Sequence, residues 1–209
     1  MEIFKPFGPS IAKINIPQEI ILNMNNYVEE IITNKKKSED LDFGKNLAGN
    51  VQQEFRLDVE FMKNNNWAEF LGKSCQKWLL DGHNISIKKF EIISSWIVRQ
   101  FKNEYNPIHY HSGHISGVGY LKTPKNFGEY LQSSKRVNRN GQIALVHGNR
   151  MFNSKATINI NPIVGDFYLF PNYLMHTVYP FSGNDDERRS ISFNAVIDDE
   201  IYNVYSGKE

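Results

Sequence analysis

The spacing of apolar positions along the 209-residue chain changes character near residue 85. Before it, the period is helical. Ile20, Met24, Tyr27, Val28 and Ile31 fall on one face of a helix over 18–33, and Pro17 suits its first turn. Trp67, Phe70, Leu71, Cys75, Trp78 and Leu79 define a second amphipathic helix over 66–80, closed by the turn "DGHN" with glycine as its C-cap. A third helix is expected around 50–62. The run "TNKKKSED" reads as a solvated loop. From Ile85 onward the period is that of strands: "ISIKKFEIISSWIVRQF", "ISGVGYLK", "GQIALVHG", "KATINI", "GDFYLFP", "HTVYPF" and "RSISFNAVI", broken by Gly, Asn and Pro. Many short strands without alternating helices predict a jelly roll. The expectation is therefore one α+β, mainly β domain over 1–209. Its N-terminal region (1–84) is mostly helical and packed on the sheet, and its remainder (85–209) is the β core.

Composition narrows the function classes. Hydrophobic residues make up 40% and aromatics 13%, enough for a sizeable core. A formal net charge of +1 argues against a nucleic-acid binder driven by bulk electrostatics. No stretch approaches the roughly 20 apolar residues of a membrane span, and "MEIFKPFGPS" lacks the pattern of a signal peptide. A cytoplasmic protein is expected. The single cysteine, Cys75, excludes an intrachain disulfide and reads as a core thiol. The stretch 132–155 is locally basic and reads as a solvated loop flanking a strand, with an anionic-substrate lid as the other reading.

Half of the six histidines stand in "NPIHYHSGH": His109, His111 and His114. In an extended chain residues two apart share a side, so His109 and His111 can converge on one ion. The spacing is similar to the HxHxDH signature of metallo-β-lactamase-type hydrolases, but the aspartate of that signature is Gly113 here. Downstream, "NPIVGDFYLFPNYLMHTVYPF" adds His176 after a tight Gly165–Asp166 turn. "ERRSISFN" then opens a strand with Arg188, Ser190, Ser192 and Asn194 on one face, and Arg189, Ile191, Phe193 and Ala195 on the other. A guanidinium and a hydroxyl two residues apart form a carboxylate clamp. An exposed salt bridge to Asp185, Asp186 or Glu187 is the alternative use of these arginines.

In this order, the histidines and the R-x-S strand resemble the Fe(II)/2-oxoglutarate-dependent oxygenases of the double-stranded β-helix (cupin-like) fold. The resemblance is narrowest to the prolyl-hydroxylase-like branch, including oxygenases of phages of marine bacteria, which would place the protein in a host cytoplasm. "NEYNPIHYH" matches the approach to the first metal histidine, with Asn103 where many members have glycine; "ISGVGYL", "NGQIALVHG", "VGDFYLFPNYLMHTVYP", "ERRSISFN" and the N-terminal "NLAGNVQQEF" match further segments. The resemblance implies His109 and His176 as Fe(II) ligands. It implies Arg188 and Ser190 as partners of the C5 carboxylate of 2-oxoglutarate, with Tyr120 either assisting them or serving as a core aromatic. It also implies hydroxylation of a substrate C–H by O2 with release of succinate and CO2. Phe167, Tyr168, Phe170, Tyr173 and Tyr179 could line a dry pocket, although core or sheet-face roles explain most of them.

One position departs from the family pattern: the carboxylate ligand two residues after the first histidine is His111 here. Imidazole suits iron, so three histidines can bind it. His114, or a non-protein ligand, could instead take the third position. Two rival functions remain at this stage. One is a cupin-like three-histidine metalloenzyme that uses no 2-oxoglutarate, which would leave Arg188 facing solvent. The other is a non-catalytic binding module. The substrate, whether peptidyl (prolyl included) or a small molecule, and the oligomeric state are not legible.

Overall fold

The computed structural model describes residues 8–130, 132, 134–183 and 186–203. Asp185 and the first seven residues, on which the sequence reading also drew, lie outside them. In order the chain forms β1 (Ala12–Asn15), α1 (Gln18–Thr33), α2 (Lys35–Leu41), a 3-10 turn (Gly44–Asn46), β2 (Gln53–Arg56), α3 (Val59–Asn64) and α4 (Trp67–His83). There follow β3 (Phe90–Gln100), β4 (Asn106–His109), β5 (Ile115–Lys122), β6 (Ile143–Val146), β7 (Thr157–Ile160), β8 (Asp166–Pro171), β9 (Met175–Val178), β10 (Arg188–Ile197) and α5 (Asp199–Tyr202).

The strands make two antiparallel sheets, a six-stranded one ordered β1-β8-β5-β10-β3-β2 and a four-stranded one ordered β4-β9-β6-β7. This is the double-stranded β-helix architecture, and the N-terminal helices cover the outer face of the larger sheet. Alternation along β10 decides the two faces. Ile191, Phe193 and Ala195 join Ile97, Phe167 and Leu169 against Met24, Val28 and Ile31 of α1 and Trp67, Leu71 and Cys75 of α4. Val118 and Phe170 face inward and pack with Ile143, Leu145 and Val178 between the sheets. Burying these faces supplies the main driving force, roughly 25 cal/mol per Å² of apolar surface. Cys75 is wholly buried, and burial pushes its thiol up.

Four local expectations give way to stronger local chemistry. The "NKKKSED" run is not a loop: Asn34 accepts a hydrogen bond from the Lys37 N–H at 3.1 Å and starts α2, an exposed turn of helix held by the Lys37–Glu30 ion pair. The 50–62 segment is not one helix. Phe55 pairs opposite Ile97 in β2, and Asp58 then caps α3 by accepting from the Phe61 N–H at 2.6 Å. With β1, the N-terminal region thus contains a pair of edge strands that the helical reading missed. Helix α4 runs through Gly82 and closes instead at Asn84, which takes the left-handed conformation (φ 55°), while the Ile85 N–H reaches back to the Leu79 carbonyl. Pro17 stands at the N-cap of α1, one residue before its first turn. Among the described residues, no helix is long and apolar enough to cross a membrane.

Candidate metal centre

The short sheet presents the histidines. His109 ends β4 and lies directly opposite His176 of β9, so the two rings project from neighbouring strands on the same side. The chain then leaves β4, and the His111 N–H donates to the Asn172 carbonyl, which turns the His111 ring back over the same point. The three imidazoles offer nitrogens that all lie within 4.8 Å of one another. The Nε2 atoms of His109 and His111 are 3.3 Å apart.

Two of the rings are oriented from behind. His109 Nδ1 lies 2.7 Å from the Pro107 carbonyl and His176 Nδ1 lies 2.9 Å from the Leu174 carbonyl. An Nδ1–H donated to those oxygens leaves each Nε2 lone pair directed at the shared point, the usual arrangement behind a ligating histidine. Burial, reinforced by the neighbouring rings, lowers His111 to about 3 and His176 to about 4; burial also lowers His109. All three are therefore neutral near pH 7, as metal ligation requires. The donor set fits a divalent transition metal with nitrogen ligands.

His114 is placed elsewhere. Its Nδ1 accepts from the Ile197 N–H at 3.1 Å and its ring stacks on Tyr202 with centroids 3.9 Å apart. Gly113, where the hydrolase signature needs aspartate, has φ +84°, and a Cβ there would stand 2.8 Å from the Ala195 carbonyl oxygen. Asn103 also takes the left-handed conformation (φ 67°), which asparagine tolerates better than most residues other than glycine.

The three rings line a cavity of about 210 Å³ between the sheets, together with Arg188, Ser190, Ser192 and Asn194 of β10. Arg188 is only 1% exposed and makes no ion pair with any described residue. Its Nη1 donates to Gln100 Oε1 at 3.2 Å and to Ser190 Oγ at 3.3 Å, while Nε and Nη2 have no partner among the described residues. Tyr120 is fully buried with its ring 5.0 Å from the guanidinium, and its hydroxyl is likewise unpartnered among the described residues. Burial opposes the charge of Arg188 and pushes the Tyr120 hydroxyl up.

The adjacent arginine behaves oppositely. Arg189 points to the helix side, where it pairs with Glu187 and with Glu29 (2.7 Å) and bonds Asn25 of α1 at 3.0 Å. Arg189 thus makes a salt bridge with Glu187, one of the acids considered, but a buried one and not the exposed pair expected; Arg188 makes none with the described residues. Of the five aromatics considered for the pocket, Phe167 packs against Trp67 and Phe70 under the helices and Tyr173 is half exposed. Tyr179 lies by the basic loop residues Arg139 and Arg150, and Tyr168 by Lys13. Only Phe170 touches the histidines, its ring centroid 5.2 Å from that of His176. The apolar walls are Trp96, Val98, Val118, Ile143 and Val178. Glu54 of β2 also lines the cavity and escaped the sequence reading. Nothing local distinguishes its glutamate from a solvent-facing one; only the pairing of β2 with β3 turns it inward.

A family model described as "Putative 2OG-Fe(II) oxygenase" matches residues 94–194, the stretch that carries the three histidines and Arg188. No curated protein matches the sequence. Among solved structures, a Pseudomonas putida prolyl-4-hydroxylase is 13% identical with a TM-score of 0.53, covering 90% of this chain and 91% of its own. A viral collagen prolyl hydroxylase from Paramecium bursaria Chlorella virus-1, solved as a 2-oxoglutarate complex, is 13% identical with a TM-score of 0.53, covering 88% and 94%. A Trichoplax adhaerens prolyl hydroxylase, in complex with a hypoxia-inducible-factor peptide, is 14% identical with a TM-score of 0.54, covering 95% and 87%. At these identities the likeness is one of fold.

Proposed function

We propose that this chain, whose residues 94–194 match a 2OG-Fe(II) oxygenase family model, is an oxygenase of that kind, in which His109, His111 and His176 hold Fe(II) while Arg188 and Ser190 hold the C5 carboxylate of 2-oxoglutarate. Together, bound iron and 2-oxoglutarate supply O2 activation, releasing succinate and CO2 and delivering one oxygen atom to a substrate C–H. The protein's own contribution is positional and electrostatic. The three neutral imidazoles of His109, His111 and His176 would hold the metal through nitrogen donors, a ligand set suited to iron. Replacing the usual carboxylate ligand by His111 removes one negative charge, which strengthens attraction to an anionic cosubstrate. The Arg188 fork, steadied by Gln100 and Ser190, matches a carboxylate. Tyr120 packs beneath it. Val118, Ile143 and Val178 give the cavity an apolar wall.

The observation that carries this reading is Arg188, a buried cation without a counter-ion among the described residues, on the same cavity as three converging imidazoles. An unpaired buried charge costs several kcal/mol, and a bound carboxylate removes that cost. The rival three-histidine enzyme without 2-oxoglutarate expects Arg188 in solvent, whereas its side chain lies inside the barrel. We assign the hydroxylated C–H to a peptide, prolyl residues included, or to a small molecule, and not to a nucleic acid; the compartment is cytoplasmic. Calorimetry of 2-oxoglutarate with the metal-loaded protein tests the reading, and absence of binding would sink it.

A further inference from the structure

The cavity that holds Arg188 is lined by a second buried ionisable side chain, Glu54. Glu54 lies opposite Val98, and Val98 lies opposite Ser190, so Glu54 projects from β2 into the barrel on the same sheet face as the carboxylate clamp. It is 1% exposed and lines the cavity with Trp96, Asn106 and the histidines. Neither carboxylate oxygen has a hydrogen-bond partner among the described residues.

The two neighbouring acids are not in this state. Glu104 accepts from the Gln52 N–H at 3.2 Å and the Phe101 N–H at 2.8 Å, and Asp42 accepts from the Gly44 N–H at 3.1 Å. The nearby cation Arg99 is taken up by Glu187 and Gln53. Burial, with the like charges of Asp42 and Glu104, pushes the Glu54 carboxyl up to about 7. A buried carboxylate without a counter-ion opposes folding, and a structural role would have supplied one. An ionised carboxylate only accepts hydrogen bonds, and a protonated nitrogen is its strongest partner. Trp96 adds an aromatic wall suited to a cation.

We propose that Glu54 is the substrate-recognition residue of this cavity, its carboxylate receiving a protonated amine or guanidinium of the substrate. This rests on the oxygenase reading in that it assigns the cavity's cationic end to the cosubstrate. The class of substrate is then a cationic one, such as a lysyl or arginyl side chain or a small amine.

The test measures binding to the Fe(II)- and 2-oxoglutarate-supplied protein under anaerobic conditions, by ligand-observed NMR. The probes are N-acetyl-lysine methylamide and N-acetyl-arginine methylamide, each against its neutral counterpart, the Nε-acetyl-lysine and citrulline derivatives. The wild type is expected to prefer at least one cationic probe by roughly tenfold. Glu54→Gln removes that preference and Glu54→Asp restores some of it, with melting curves reporting that each variant is folded. Gly49→Ala is an independent second variant. Its new Cβ would stand 2.9 Å from Glu54 Oε1 and 3.1 Å from Asn106 Oδ1, so it displaces the carboxylate without removing its charge and weakens the preference. Equal binding of cationic and neutral probes by the wild type, binding of neither, or a preference that survives both Glu54→Gln and Gly49→Ala overturns the proposal. A parallel titration of the wild type with 2-oxoglutarate judges the cosubstrate assignment separately. If it fails while the cation preference holds, the oxygenase reading falls and Glu54 keeps its role.

Discussion

His109 and His176 are cross-strand partners in the β4–β9 ladder, with ring centroids 4.3 Å apart. Their convergence is a property of strand pairing, and each ring is held from behind by a carbonyl two residues before it. His111 joins them from outside the ladder.

This difference sets the first prediction. His109→Ala and His176→Ala each lose metal by more than the roughly 10–100-fold that removal of an outer partner costs. His111→Ala does the same, whereas His111→Asp, which supplies the carboxylate expected from the resemblance, retains it. His114→Ala leaves affinity unchanged. Metal content after gel filtration and calorimetric titration decide the matter, and retained binding in His111→Ala would remove that residue from the ligand set.

The two adjacent arginines should respond oppositely to truncation. Arg188→Met abolishes 2-oxoglutarate binding, a loss of about 100-fold or more for a buried charged clamp. The free protein's melting temperature stays level or rises, because an uncompensated buried charge is gone. A large drop in that temperature would count against a ligand-binding role.

Arg189→Met instead leaves Glu187 without one of its cationic partners and releases α1 from the sheet. Breaking a buried ion pair typically costs about 3–5 kcal/mol. Urea unfolding should show a loss of that order, with 2-oxoglutarate affinity little altered in the fraction that remains folded.

Acid should destabilise the metal-free protein through its histidines. Burial holds His111 at about 3 and His176 at about 4, below the ordinary value of about 6.5. Between those limits the unfolded chain binds the extra protons, so this contribution to stability is full above about pH 6.5 and is lost as pH falls toward 4. Glu54 works in the other direction. Its carboxyl is raised to about 7 from 4.5, so the folded form binds the extra proton between those values and gains as pH falls through 7. Urea midpoints at pH 7 and pH 5 should therefore drop with acid, and drop further in Glu54→Gln. An equal or smaller drop in that variant would refute the assignment of the opposing proton to Glu54.

Local pattern alone determined a good deal of this protein. The helical period over 18–33 and the alternation in "RSISFNAVI" each encode which side is apolar, so α1 and β10 were legible, as was the separation of Arg188 from Arg189. The His109-x-His111 spacing and the R-x-S strand pointed to a metal and a carboxylate. What stayed illegible is what depends on neighbours distant in sequence. Asn34 and Asp58 act as caps only because the chain bends there. Gln53–Arg56 is a strand only because β3 offers an edge. The aromatics of β8 and of the segments flanking β9 carry no mark that says which will face the cavity. His114 stood as an alternative to His111 beside His109 and His176; the His111–Asn172 backbone bond brings the His111 ring into the cluster, and the Tyr202 stack holds the His114 ring elsewhere. Glu54 is the sharpest case, since a glutamate on an edge strand looks like a solvated residue. Sequence periodicity fixes which side of its own strand a residue occupies; only the packing of one sheet against another decides whether that side is water or the inside of a barrel.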